Sequence, residues 1–391
     1  MSWRIAAVGV TVAAALAAAG SAHGQGGGEP YEMVRSLQAL QDQVVLGNAS
    51  AQARQRVLIG QIAEQFARTD PAKWKDPRNL RAAAVFVFSG GSAQFLENVP
   101  QEAEPKDADG QLIKAAAAFA KGEREAAGKQ LLPIDARALD ATIAGHIAYM
   151  QAELTAEKEP AKAIAYLDDA RLLAPGTLIE EAALRRQAVL VSATGDLARY
   201  LDVAAKYLRR FPRSAYAGNF LQSLAAQVVA TADAGKPDDL EKVGRLMSAL
   251  GMAERREASM AMAKAALDTG RLRMARYAAE QGLGHAEADG ANAPRLRVYL
   301  AATLVVGDEL EKGVALLDEV DRAKLSAEDL SLLESAAAVA AQVRSPIGSA
   351  GILTEMPAAA AGERDSATPP ALKRARDALA QVDQLLTGSK Q

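Results

Sequence analysis

Histidine is the commonest general base and metal ligand, and this sequence has three: His23, His146 and His285. No two share a local motif, so their spacing spells out no metal set. His146 borders an apolar stripe of Leu139, Ile143 and Met150 and reads as a structural histidine. His285 follows Gly284 near an expected helix end, where a positive ring suits the helix dipole. Carboxylates stand side by side at Asp168-Asp169, Asp238-Asp239 and Glu180-Glu181, but adjacent residues on a helix do not face each other. A paired-carboxylate hydrolase sets its acids in a cleft, usually beside aromatic sugar platforms. The only tryptophans are Trp3 and Trp74. Ser89-Gly90-Gly91 has the glycines of a phosphate cradle without the Lys-Ser or Lys-Thr that would complete it, and reads as a helix stop. No nucleophile elbow is present. The expectation is a protein that is not an enzyme, with no catalytic residue, cofactor or metal site.

One charged run stands apart. On a helix, Leu178, Ala182 and Val189 line up with Arg185 between them, and Glu181 stands one turn before Arg185, the favourable order for an ion pair. A charge among apolar positions is either paired within the fold or offered to a partner. The first reading makes Glu181 and Arg185 a structural pair. The second makes Arg185 or Arg186 a contact for another protein.

The elements that must position these residues are helical. Half of the 391 residues are hydrophobic, only 4% are aromatic, and alanine is abundant. Alanine is the best helix former and buries little area, which favours thin, closely packed helices. Charges of both signs are mixed, with a net charge of −3. That speaks against nucleic acid and gives no polybasic membrane patch. Met33, Leu37, Leu40 and Val44 form the first apolar stripe, with Gly47 as its stop. A second helix is expected from an N-cap at Ser50 to Thr69, with Leu58, Ile62 and Phe66 on one face. Asp76-Pro77 opens a third, in the usual order of cap and first-turn proline.

From about residue 110, similar junctions recur: Lys121-Gly122-Glu123, Glu159-Pro160, Thr194-Gly195-Asp196, Gly235-Lys236-Pro237-Asp238, Thr269-Gly270-Arg271 and Gly307-Asp308. They lie roughly 35–40 residues apart, near the period of tetratricopeptide-type hairpins. Each opens a helix with an apolar stripe; Leu197, Leu201, Ala204, Leu208 and Phe211 are the clearest. Pro175 and Pro212 are expected to end the first helix of their pairs. One hairpin cannot bury both of its faces, so neighbours must stack. The fold expected is all-α, a helical-hairpin (tetratricopeptide-like) α-solenoid after a cleaved signal peptide.

The flanks complete the organisation. Arg4, the apolar run Ile5–Ala19 and the small residues Gly20-Ser21-Ala22 have the form of a Sec-type signal peptide over residues 1–24, cut after Ala22 or Gly24; an uncleaved anchor is the other reading. Cleavage removes the charge of Arg4 and takes −3 to −4. With no cysteine anywhere, a lipid-anchored form is excluded and the fold must rest on packing without disulfides. No later segment is apolar enough to span a membrane. These readings place the mature chain in the periplasm. Residues 25–105 are expected to form an N-terminal helical region, 106–345 the hairpin repeats and 346–369 a flexible linker. Residues 370–391 form an amphipathic tail helix with Leu372, Ala375, Leu379, Val382 and Leu386 on one side.

Two stretches resemble a known family. The first contains Pro30-Tyr31, Val34-Arg35, Leu37-Gln38, Leu40-Gln41-Asp42, Gly47, then Asp76-Pro77-Arg78-Asn79 with Ala82-Ala83 and Ser89-Gly90-Gly91. The second is Ala170-Arg171-Leu172-Leu173-Ala174-Pro175-Gly176-Thr177, continuing through Glu180-Glu181-Ala182-Ala183-Leu184-Arg185-Arg186, with Arg209-Arg210-Phe211, Ser214, Tyr216 and Ala217 after it. Together they resemble the MotC family, periplasmic motility proteins of rhizobial-type α-proteobacteria. The resemblance implies a role in flagellar rotation through binding the periplasmic part of the stator protein MotB, with a MotE-type periplasmic chaperone as a second partner. It implies no catalytic residues. Within the matching stretches, Arg35, Asp42, Arg78, Asn79, Glu180, Glu181, Arg185 and Arg186 are the candidate partner-binding residues. The competing reading is a generic periplasmic tetratricopeptide-like scaffold for cell-envelope or division machinery.

Overall fold

The computed structural model describes residues 28–99, 108–284, 292–307 and 309–344. The expected signal peptide, linker and tail helix, and His23 and His285 with them, lie outside the described residues. Among those described, every regular element is a helix. The chain divides into two compact units. One takes in residues 28–39, 54–99 and 108–134; the other takes in 40–53 and the described residues from 135 onward.

Helices α1 (Pro30–Val45) and α2 (Ala49–Ala67) open the chain. The start of α2 differs in detail from expectation. Ser50 lies inside the helix, and Asn48 stands at its head, where its Oδ1 accepts from the Ser50 N–H at 3.2 Å. The remaining helices of the first unit are α3 (Pro77–Phe88), α4 (Ala108–Ala120) and α5 (Arg124–Leu131). Asp76 caps α3 by accepting from the Arg78 N–H at 2.8 Å, with Pro77 at the first position, and Ser89 ends it. The core of this unit is aromatic. Phe66, Trp74, Phe86 and Phe95 are all buried, with ring centroids 4.8–6.1 Å apart. Trp74 therefore serves as packing and not as a sugar platform.

The second unit is the stack of hairpins: α6 (Ala141–Thr155), α7 (Pro160–Leu173), α8 (Leu178–Ser192), α9 (Leu197–Arg210), α10 (Ala217–Thr231), α11 (Pro237–Ala249), α12 (Met252–Asp268), α13 (Leu272–Gly284), α14 (Asn292–Val305), α15 (Leu310–Asp318) and α16 (Ala327–Arg344). Even helices pack on their successors in α6–α7, α8–α9, α12–α13 and α14–α15, while α10 packs chiefly on α12 and α11 on α9. A further set of contacts skips one helix: α10–α12, α12–α14 and α14–α16 form one row, and α9–α11 lies in the other. This is the packing order of an α-solenoid.

The expected junctions all fall between an even helix and the odd helix after it. Gly122, Gly195 and Gly270 hold φ of 78°, 75° and 70° at these turns, the left-handed cap that glycine adopts without strain. The prolines fall one helix later than expected. Pro175 and Pro212 follow α7 and α9, the second helices of their hairpins, because the short junctions lie inside hairpins and the prolines between them.

Candidate functional site: a carboxylate cluster at the turns between hairpins

Five of the eight candidate residues come together in the second unit, around the α7–α8 and α9–α10 turns. The segment between α1 and α2, residues 46–48, lies against these turns. Val44 O accepts from the Ala215 N–H at 3.4 Å. Gly47 holds φ at +91°, and a Cβ there would stand 2.7 Å from the Arg213 carbonyl oxygen. Asp42 reaches the head of α8, where its Oδ1 accepts from the Leu178 N–H at 2.9 Å. Burial pushes its carboxyl above the usual range, and the bond from Leu178 only partly offsets that.

Glu180 and Glu181 turn inward from the first turn of α8. Glu180 accepts from the Gly176 N–H at 2.6 Å and holds Arg210 through Nε at 2.5 Å and Nη2 at 2.6 Å. Its two tasks are to close the α7–α8 turn and to tie α8 to the end of α9. Glu181 is wholly buried (0% exposed). It accepts from Arg185 at 2.9–3.0 Å, from the Tyr207 hydroxyl at 2.7 Å and from the Ser214 hydroxyl at 3.1 Å. A buried carboxylate is tolerated only when its lone pairs are filled in this way. Burial and the neighbouring Glu181 charge both push the Tyr207 hydroxyl up, so it stays a donor. The Glu181–Arg185 pair expected from spacing is thus present. Arg185 also lies over the Tyr216 ring, 4.4 Å from its centroid, and Arg186 pairs with Glu153 of α6 at 2.9 Å.

The apolar line that flagged this run faces elsewhere than expected. The buried face of α8 is Glu180, Glu181, Ala183, Leu184, Gln187, Ala188, Leu190 and Val191. Leu178 and Ala182 are half-buried, and Val189 is 56% exposed. Of that line Val189 alone, with Arg185, borders a groove of about 410 Å³ between α8 and α10, lined also by Tyr216 and Asn219 among others.

Three candidates lie in the first unit. Arg35 is exposed on α1. Arg78 pairs with its own cap residue Asp76 at 2.7 Å and lies over the Tyr31 ring at 4.5 Å. Asn79 is buried, with its Oδ1 accepting from the Tyr31 N–H at 3.1 Å and its Nδ2 donating to Glu29 and to the Lys73 carbonyl; it clamps the start of α1.

Spacing did not single out Tyr207 or Arg210, because their partners lie 26 and 30 residues away. The same device recurs unannounced at α16. Asp329 accepts from Ser326 at 2.6 Å, Tyr299 at 2.7 Å and Arg295 at 2.8 Å. No group of three or more His, Cys, Asp or Glu able to hold a metal occurs among the described residues, and no described helix is long and apolar enough to cross a membrane.

Comparison with known proteins adds to this geometry. A family model described as "Chemotaxis protein MotC" matches residues 1–391. The chemotaxis protein MotC of Rhizobium meliloti (strain 1021) is 31% identical over 321 residues, which cover 82% of this chain and 73% of the relative. Among solved structures, the TPR domain of P58(IPK) aligns at 16% identity over 81% of this chain and 95% of its own, with a TM-score of 0.23.

Proposed function

This chain belongs to the MotC family of chemotaxis proteins, and on that footing we propose that it is a periplasmic adaptor that binds the periplasmic part of MotB and is needed for flagellar rotation. Membership gives it a motility-associated role. The finer reading is that it acts by binding and not by catalysis, in the periplasm, with a MotE-type chaperone as a second partner. The observation that carries it is the family match over the whole length of the chain. The geometry supports it. The Glu180 and Glu181 networks hold α8, α9 and the following turn in one arrangement, and a surface held rigid before binding loses less entropy on association.

Among the candidate residues, Arg35 and Arg78 are exposed and Arg185 and Arg186 are half-buried; these four arginines are the proposed contacts. Asn79 in the first unit, and Asp42, Glu180 and Glu181 in the second, hold the backbone of their own units from beneath. The experiment is a pull-down of the mature chain from periplasmic extract beside a swimming assay of a deletion strain. Recovery of MotB and loss of swimming is expected. Recovery of only division or wall-synthesis proteins, with swimming intact, would reject the motor role in favour of a general envelope scaffold.

A further inference from the structure

We propose that the groove between α8 and α10 seats an extended, carboxylate-bearing segment of the partner protein, with the acid placed at the Arg185 end. The proposal rests on the adaptor reading above and names the chemistry of what is bound.

Charge is the first reason. The whole chain carries −3, yet this edge of the second unit shows cations and hides its acids. Asp42, Glu180 and Glu181 are turned inward and occupied by backbone amides, hydroxyls and guanidinium groups. Arg185 and Arg210 keep 34% and 48% of their side-chain surface. Arg209 and Arg213, on and just after the end of α9, are exposed with no ion pair among the described residues; neither lines the groove itself, and Arg213 stands three residues before Tyr216, which does. Arg185 spends Nε and Nη2 on Glu181, which leaves Nη1 for an incoming acceptor.

The floor is the second reason. Asn219, Ser223 and Gln227 follow one another at one-turn spacing along α10; the Ser223 hydroxyl donates to the Asn219 carbonyl at 3.0 Å and keeps its lone pairs as acceptor, and the two side-chain amides can both donate to and accept from a bound main chain. Opposite them stands Val189, an exposed apolar side chain on α8 that suits a small side chain of the ligand. Tyr216, held flat by Arg185, closes the end.

Arg185 itself is a poor probe, since its removal strands Glu181 as a buried charge. Val189→Glu and the double variant Arg209→Glu/Arg213→Glu lie on the surface and are expected to melt like the wild type. The probes are the purified periplasmic part of MotB and short extended peptides, each made with Asp or Glu and again with Asn or Gln. The wild-type chain should prefer acid over amide peptides, more weakly at high salt. Both variants should lose about tenfold or more in affinity, about 1.4 kcal/mol or more, and a photo-crosslinker at position 189 should join the same peptide. If MotB binds and both variants hold it as tightly as wild type, the groove is overturned and the adaptor role stands. If MotB does not bind, the adaptor role fails, and the peptides alone decide the groove. No binding, an equal or better amide form, or a crosslink to a second copy of this chain overturns it.

Discussion

Glu181 is where the second unit is most exposed to a single substitution. Glu181→Ala leaves Arg185, Tyr207 and Ser214 without their shared acceptor, and breaking such a buried pair costs about 3–5 kcal/mol. Tyr207→Phe removes one bond to the same charge and should cost about 1–3 kcal/mol. Urea melts of the two single variants and the double variant check this. The double should fall well short of additive, because the Tyr207 bond no longer exists once Glu181 is gone. Acid should act in two stages. Burial holds the His146 ring neutral down to about 4, while the unfolded chain takes up that proton near ~6.5. The unfolded state thus binds more protons in between, and stability falls as pH drops from about 6.5 to about 4. His146→Leu should flatten that limb in a pH series of melts. For Asp329, burial alone would raise the pKa, but Ser326, Tyr299 and Arg295 outweigh it and hold the carboxyl low. Its stabilisation is complete above the unfolded value of ~3.9 and drains as pH falls through the folded one, a loss that Asp329→Asn should abolish. Spacing could show Glu181 with Arg185 because the pair is one turn apart. It could not show Tyr207 or Ser214, nor the Tyr299 and Arg295 bonds to Asp329, whose partners meet only when helices stack; only Ser326, three residues before Asp329, is a local partner.

The helices were legible where a cap and a stripe coincide. Asp76-Pro77 opens α3 and Ser89-Gly90 closes it as read, since side chain and backbone signals agree. The stripe of α9 is also as read from its second turn on, with Leu201, Ala204, Leu208 and Phe211 buried and Leu197 at its head half-buried. On α8 the stripe misled, because charged Glu180 and Glu181 occupy the core face and the apolar Val189 does not. Composition by position cannot tell a buried, satisfied carboxylate from a solvated one. The phase of the hairpins was equally hidden, since the proline and glycine junctions alternate and nothing local says which lies inside a pair. The turns themselves differ in what surrounds them. Gly270 holds φ at +70° in open space, and Gly47 holds +91° with the Arg213 carbonyl pressed close. Gly270→Ala should therefore cost only the left-handed penalty of about 1–2 kcal/mol. Gly47→Ala adds an unrelieved backbone clash and should cost more, read as a larger drop in the urea midpoint at unchanged slope.

The all-α hairpin architecture of the described residues was readable because its period is long and its alanine content high, and both reflect how thin helices stack. Family membership was readable in two stretches, and the match extends past residue 225 to the full length. The ligand-facing groove was not readable, because it exists only between α8 and α10 and draws on residues from both. For the proposed adaptor, function follows from what the stacked surface holds, so the decisive quantity is an affinity. Titration calorimetry of the chain from residue 25 onward against the purified periplasmic part of MotB measures it directly. A saturable heat with a fixed stoichiometry is the predicted result. A flat titration with both proteins folded would contradict the adaptor role at its root.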